Sequence, residues 1–506
     1  MQKINNTAME TKHIVTIDPG TTKTALTVTE ISGNNVEIVF YKKIPSEGIR
    51  YSYVFNSKQA GDTIRTLVQE AEKELQIKIR SAVVGMPKYS IRKEAGDAEV
   101  VMNPEECITR KNVEDLKSDA LRSYPVKDSQ NEELYGAIAQ SFSNGDEIGL
   151  TEDDIVGVSC DCFSGDFNLY VGKKKYLSNI NVAFKRIGLE VQQLFFTPEA
   201  MGKALLTKGE MDSGVALVDI GGGATSVSVY YKGILRHFAS IPFGGKSVTA
   251  DIMTECMISE DIAEKIKTGF GGCMPDKLQN LSEKTLFISS DSEIPGIQIP
   301  VKFLSEIITA RMKEIIEAIL YEIQCSGFAD NLRSGVVLTG GGAKLLNCAN
   351  WFKELSGYET RVGRTRSLFS AAGCEDFFDT DAAVSAGLIL AAKDAGTPDS
   401  LKENPETAGV NSPEPDEDAG IPEENAGTAD TGAGDDGNNV SGTVFDPITE
   451  EETREAAKKT REAAKRAREE EKKKGEKGKG TQENRTTWKI RDLFNGLFDS
   501  LGNEEA

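Results

Sequence analysis

His13-Ile-Val-Thr-Ile-Asp18-Pro-Gly20-Thr21-Thr22-Lys23 has a second copy about 200 residues further on, Val215-Ala-Leu-Val-Asp219-Ile-Gly221-Gly222-Gly223. In each copy an apolar stretch ends on an aspartate and turns on glycine. A second strand follows, Ala25–Glu30 in the first copy and Ser226–Tyr231 in the other, and then a third that ends on the same dipeptide, Ile44-Pro45 and Ile241-Pro242. A short apolar run closed by a glycine turn reads as a buried strand, and the alternation after it as a meander. Two such halves facing each other can hold the phosphates of a nucleotide between two hairpin loops, with each aspartate directed at a metal ion.

A third glycine loop, Gly340-Gly341-Gly342, follows the strand Gly335–Leu338. Glycine lets backbone N–H groups approach phosphate oxygens without a Cβ in the way. Gly20, Gly221, Gly222, Gly223 and Gly340–Gly342 are therefore candidate phosphate contacts, and Thr21, Thr22 and Lys23 add hydroxyls and a cation. Asp18 and Asp219 are candidate Mg²⁺ ligands, acting through water because Mg²⁺ dehydrates reluctantly. The third loop is expected to open a helix at Ala343 and to abut the adenosine and α-phosphate.

The chain has 506 residues. At roughly 150 residues per domain, that gives two to four domains plus tails. The net charge of −21 excludes general nucleic-acid binding, which needs clustered Lys and Arg. Much of the acid is local: from Asp394 to Asp446, 14 Asp and Glu face the single Lys402. Eight cysteines are scattered, and Cys160-Asp-Cys162 is the one close pair. With only His13 and His237 to help, both in strand-like segments, a zinc site is disfavoured, and the cysteines fit a reducing compartment. The N-terminus lacks an apolar signal core, and no stretch reaches the roughly 18 apolar residues of a spanning helix. The longest apolar run, Ala382–Ala392, reads as a buried helix. The sequence therefore predicts a protein that does not cross a membrane.

Between the motifs, apolar spacing predicts helices at Asp62–Leu75, Val113–Ser123, Tyr176–Ile187, Glu199–Leu206 and Asp381–Lys393, and strands at Ser81–Gly85 and Gln192–Phe196. Residues 88–165 are more polar and read as an inserted module. In the helix Leu304–Ile323, Leu304, Ile307, Ile308, Ile315, Ile316, Ile319 and Ile323 form a core-facing stripe.

Beyond residue 393 the composition changes. Residues 394–448 contain almost no large apolar side chain, so burial cannot offset their ordering entropy, and they read as a disordered acidic tether. Thr449-Glu-Glu-Glu452 makes a capping box, followed by Arg-Glu-Ala-Ala-Lys at 454–458 and 461–465 with i,i+4 pairs Glu455–Lys459 and Glu462–Arg466. Residues 449–474 thus read as a solitary helical spacer, and 475–487 as a basic linker. In residues 488–502, Ile490, Leu493, Phe494, Leu497, Phe498 and Leu501 share one stripe, with Trp488 at its start. An amphipathic helix of this kind lies in a lipid interface, and the basic residues before it favour anionic lipid by roughly 1 kcal/mol each. Docking of this helix back onto the globular body, or onto another protein, is the competing reading.

The three loops, in this order, resemble the actin–Hsp70–sugar kinase ATP-binding fold. Within it, Val218–Gly223, Leu235-Arg236-His237, Ile241-Pro242, Ala263–Lys267 and Val337–Gly342 resemble the FtsA family of bacterial division proteins, from about residue 12 to 393 and again at the last helix. The resemblance implies an α/β, duplicated actin-like ATPase fold with two lobes around a nucleotide cleft. Residues 12–213 would form the first lobe, with the FtsA-type inserted subdomain at 88–165. Residues 214–393 would form the second lobe, with a partner-binding subdomain at about 246–330, and residues 1–11 would be a flexible N-terminus. It implies ATP and Mg²⁺ as ligands, with Glu264 and Lys267 on the ribose and base side. It further implies a peripheral protein at the cytoplasmic face of the inner membrane, at the septum, that tethers FtsZ filaments through their C-terminal peptide, self-associates into filaments and meets other divisome proteins. Arg311 is the candidate contact for that acidic peptide.

Two departures bear on turnover. Family loops often read Gly-Gly-Gly-Thr with an Asp two residues after the Thr, where this chain has Ala224 and Ser226. ATP-hydrolysing bacterial actins such as MreB carry a Glu before the proline matched by Pro198, where this chain has Thr197, with Glu199 on the other side. A poised general base is not evident, so weak or no ATPase activity is expected. Two other readings share the fold: a sugar-type kinase, which needs a catalytic carboxylate between the halves, and an actin-like scaffold of a pilus or secretion assembly, which needs no lipid-binding tail.

Overall fold

The computed structural model describes residues 11–288 and 297–402. It contains two five-stranded sheets of the same topology. In the first, the meander Lys12–Pro19, Lys23–Ser32 and Asn35–Pro45 is extended on its other side by Ser81–Gly85 and then Glu190–Phe195, both parallel to the first strand. In the second, Val215–Ile220, Thr225–Tyr231 and Ile234–Ile241 form the meander, and Val336–Thr339 and Thr360–Val362 add in parallel. The duplication reaches single residues. Asp18 pairs with Ala25 and Asp219 with Ser226, the same register, and a β-bulge follows Val28 in one meander and Val229 in the other. A Cβ on Gly20 would lie 2.7 Å from the Lys23 carbonyl oxygen, and one on Gly221 2.7 Å from that of Ala224, so both turns require glycine for the same reason.

Two helices pack between the sheets, Thr197–Leu205 and Ala383–Asp394. Gly387 lets them cross closely, since a Cβ there would lie 2.7 Å from the Ala200 backbone. The apolar run at 382–392 is thus the buried helix expected of it, with Ala386, Leu388, Ile389 and Ala392 fully enclosed. A second core lies on the outer face of the first sheet, under Ser57–Leu75 and Lys174–Arg186. The first of these helices begins earlier than its apolar spacing predicts. The Asn56 side chain accepts from the N–H groups of Lys58 and Gln59, and this cap adds a mostly polar first turn.

The inserted module is a separate four-stranded sheet with its own core of Ile108, Leu116, Phe142, Phe163 and Phe167. Its strand Cys162–Lys173 pairs on both sides and carries the module past residue 165. In the second lobe the helix Val301–Cys325 buries the stripe read from the sequence, with Ile307 only half-buried.

Two expectations are corrected. The third glycine loop does not open an α-helix at Ala343 but closes into the 3₁₀ turn Gly341–Lys344. The tether does not begin at 394 either. Thr397 and Ser400 are buried against the first lobe, and the Ser400 carbonyl accepts from the N–H groups of Arg80 and Ser81 while its own N–H donates to His13. Composition hides this because a few backbone hydrogen bonds, not apolar bulk, hold the segment. The rest of the tether, the spacer at 449–474, the basic linker at 475–487 and the amphipathic segment at 488–502 lie outside the described residues, as do residues 1–10. No described helix is long and apolar enough to cross a membrane.

Candidate functional site

The two hairpin loops meet across a cleft of about 310 Å³ lined from both sheets, of the size that holds a small-molecule ligand. Asp18, Gly20, Thr21, Thr22, Lys23, Asp219, Gly221, Gly222, Glu264, Lys267, Gly340, Gly341 and Gly342 all line it. Gly223 does not. It sits against Thr21 of the opposite loop, where a Cβ would lie 2.6 Å from the threonine methyl, so its place is the contact between the loops.

The charged residues are paired in ways that sequence spacing does not reveal. Lys23 reaches Asp381, at the foot of the central helix, with its ammonium 2.6 Å from the carboxylate and donating to the Asp381 carbonyl. Lys43 and Lys344 converge on the same carboxylate at 3.2 and 3.1 Å. Burial alone would raise the Asp381 carboxyl, but Lys23, Lys43 and Lys344 outweigh it and hold it well below the usual carboxylate range. Lys267 donates to the Glu264 carboxylate at 2.6 Å, the Thr249 hydroxyl at 2.7 Å and the Gly245 carbonyl at 2.9 Å. Glu264 and Lys267 therefore form a satisfied knot on the cleft wall that joins the helices Gly245–Cys256 and Glu260–Phe270.

Asp219 is bound by the ammonium of Lys88, a residue that the sequence reading did not single out. Burial would lower the Lys88 ammonium, but Asp219 and Asp18 hold it above its ordinary value. Burial pushes the Asp18 carboxyl up, with Lys88 and Lys23 pulling it back. Asp18 and Asp219 offer the hard oxygens that Mg²⁺ prefers, yet Asp219 already carries a cation. The Lys88 ammonium stands on Oδ2, where a metal ion would have to bind, so the arrangement does not fit a metal on Asp219 as it stands. Among the described residues, no group of three His, Cys, Asp or Glu is placed to hold a metal ion.

Thr197 also lines the cleft, and its hydroxyl donates to the Met86 carbonyl at 2.7 Å. The carboxylates of Asp219, Glu264 and Asp381 are each engaged by lysine. Arg311 is distant in role. Asp251 grips its guanidinium in two hydrogen bonds of 2.6 and 2.8 Å, and Glu314 takes a third at 2.6 Å. Lys88 and Asp381 carry no local motif, and Lys344 ends the turn of the third glycine loop. The one cue for Lys88 is its place just past a strand that ends on Gly85.

Two duplicated sheets, a central pair of helices and a glycine-lined cleft define an actin-like member of the ATPase-fold class. A solved structure of a PilM–PilN type IV pilus biogenesis complex shares this fold, with a TM-score of 0.54 at 15% identity over 75% of this chain and 98% of that one. Within the class, the chain is similar to the FtsA cell division proteins. The family model described as cell division protein FtsA matches residues 216–386. The FtsA of Neisseria meningitidis serogroup B is 28% identical over 71% of this chain and 85% of its own length. That of Bacillus subtilis is 29% identical over 65% and 74%.

Proposed function

We propose that this chain is an actin-like, ATP-binding cell division protein that tethers FtsZ filaments to the cytoplasmic face of the inner membrane at the septum and helps assemble the divisome. The observation that carries this reading is the cleft between duplicated glycine hairpins in a chain whose relatives are named FtsA. The backbone N–H groups of the glycine loops would bind the phosphates, and the Glu264–Lys267 wall would face the ribose and base. Mg²⁺ on Asp18 and Asp219 would have to displace the Lys88 ammonium. Slow or absent hydrolysis follows from Thr197, whose hydroxyl is spent on a carbonyl. The amphipathic segment from Trp488 to Leu501 supplies the lipid anchor and the long tether supplies reach.

Co-sedimentation with anionic vesicles, comparing the full chain with one ending before Thr486, tests the reading. The full chain pellets and the shortened chain stays in the supernatant, while both bind the FtsZ C-terminal peptide. A full chain that fails to pellet with ATP present would remove the tether from this account.

A further inference from the structure

Asp18 and Asp219 occupy equivalent positions at the ends of equivalent strands, yet the loops that follow the adjoining parallel strands differ. In the second lobe that loop is Gly340–Gly342, which offers only backbone. In the first it is Gly85-Met86-Pro87-Lys88, which offers a cation. The Lys88 ammonium crosses the cleft to the Asp219 carboxylate, and both side chains are nearly enclosed, 14% and 8% exposed. Asp18 faces the same ammonium.

The backbone on both sides of Lys88 is fixed. The Met86 N–H donates to Phe195 at 2.9 Å, and the Met86 carbonyl accepts from Thr197. Tyr89 stacks on Tyr51 at 4.9 Å, and Tyr51 precedes Ser52, whose N–H donates to the Thr21 hydroxyl of the first phosphate loop. Lys88 is therefore held between Met86, tied to Phe195 and Thr197, and Tyr89, stacked on Tyr51, rather than extended into solvent. An ammonium has three donors, and the bond to Asp219 uses one.

Resting on the reading that the cleft binds ATP, we propose that Lys88 takes the place of the divalent cation between Asp18, Asp219 and the nucleotide's phosphates, so that nucleotide binding is largely independent of Mg²⁺. Lys88 neutralises Asp219 before the nucleotide arrives, and its remaining N–H groups meet the phosphate oxygens when it does. A divalent ion on Asp219 would have to expel a buried, anchored cation first.

Equilibrium binding of a fluorescent ATP analogue to the full chain, with excess EDTA and with Mg²⁺, tests this. Wild type binds in EDTA within about tenfold of its affinity in Mg²⁺, whereas Lys88→Gln loses on the order of a hundredfold in EDTA and recovers with Mg²⁺, the scale of an uncompensated buried charge. Wild-type binding that collapses in EDTA, or a Lys88→Gln variant with the wild-type EDTA ratio, would overturn the proposal. No binding by wild type in either buffer would instead sink the ATP reading. A second measurement needs no nucleotide: Mg²⁺ raises the unfolding midpoint of Lys88→Gln, where Asp18 and Asp219 are left bare, and leaves wild type unmoved. Equal responses would count against Lys88, and if the variant does not fold, the wild-type EDTA comparison decides alone.

Discussion

Gly340 has φ +83°, and a Cβ on it would lie 2.6 Å from the Ile220 carbonyl oxygen as well as against Asp219. Its neighbour Gly341 has open space around it. The sequence shows three equivalent glycines, and only the backbone separates their tasks. Gly340→Ala should cost about 1–3 kcal/mol from backbone strain alone, seen as a lower urea midpoint. Gly341→Ala should leave that midpoint unchanged and weaken the proposed nucleotide binding, because its added methyl would stand in the open cleft. Asp381 was legible only as the start of a helix, since the lysines it gathers come from three separate segments. Its carboxyl is held below the ordinary range in the folded chain, so the stability it contributes is present above about pH 4, the unfolded value, and is lost as pH falls further through the native one. Asp381→Asn should therefore destabilise by on the order of 2 kcal/mol at pH 7, less than a fully buried pair because the lysines are partly exposed. The gap between variant and wild type in unfolding midpoint should narrow as the pH is lowered below about 4.

At the scale of elements, the buried strands and the central helix were readable as short apolar runs, and the stripe of Val301–Cys325 as a 3.6-residue apolar period. The helix start at Ser57 and the segment from Thr397 to Leu401 were not, because each depends on hydrogen bonds rather than on apolar spacing. The latter segment is testable. Ser400 is fully buried, its hydroxyl oxygen accepts from the Val15 N–H at 3.1 Å, and its carbonyl takes two N–H groups from Arg80 and Ser81. A chain ending after Gly396 would take these acceptors away, at about 1–3 kcal/mol for each N–H group that stays buried with no other acceptor. A chain ending after Lys402 should melt like the full protein, whereas one ending after Gly396 should melt well below it. Ser400→Ala should fall between them, since it forfeits the hydroxyl alone.

At the scale of the whole molecule, the chain divides its proposed work. Among the described residues, those that line the cleft lie between Asp18 and Val384, and the backbone acceptor for Arg80 and Ser81 at the first lobe's sheet is Ser400. The amphipathic stripe begins only at Trp488. Nucleotide binding and lipid binding are then thermodynamically separable unless one changes the other's equilibrium, because coupling requires a ligand to bind two states of the chain unequally. A ligand that binds only the folded state stabilises it by RT ln(1 + [L]/Kd), about 2.7 kcal/mol at a hundredfold excess over Kd. The rise in unfolding midpoint on adding ATP should therefore be the same in the full chain and in one ending before Thr486, both measured without vesicles. Adding anionic vesicles should leave the ATP-induced rise of the shortened chain as it was. A change in that rise for the full chain alone would mean that the membrane-bound tail biases the cleft, and the coupling free energy could be read directly from the difference.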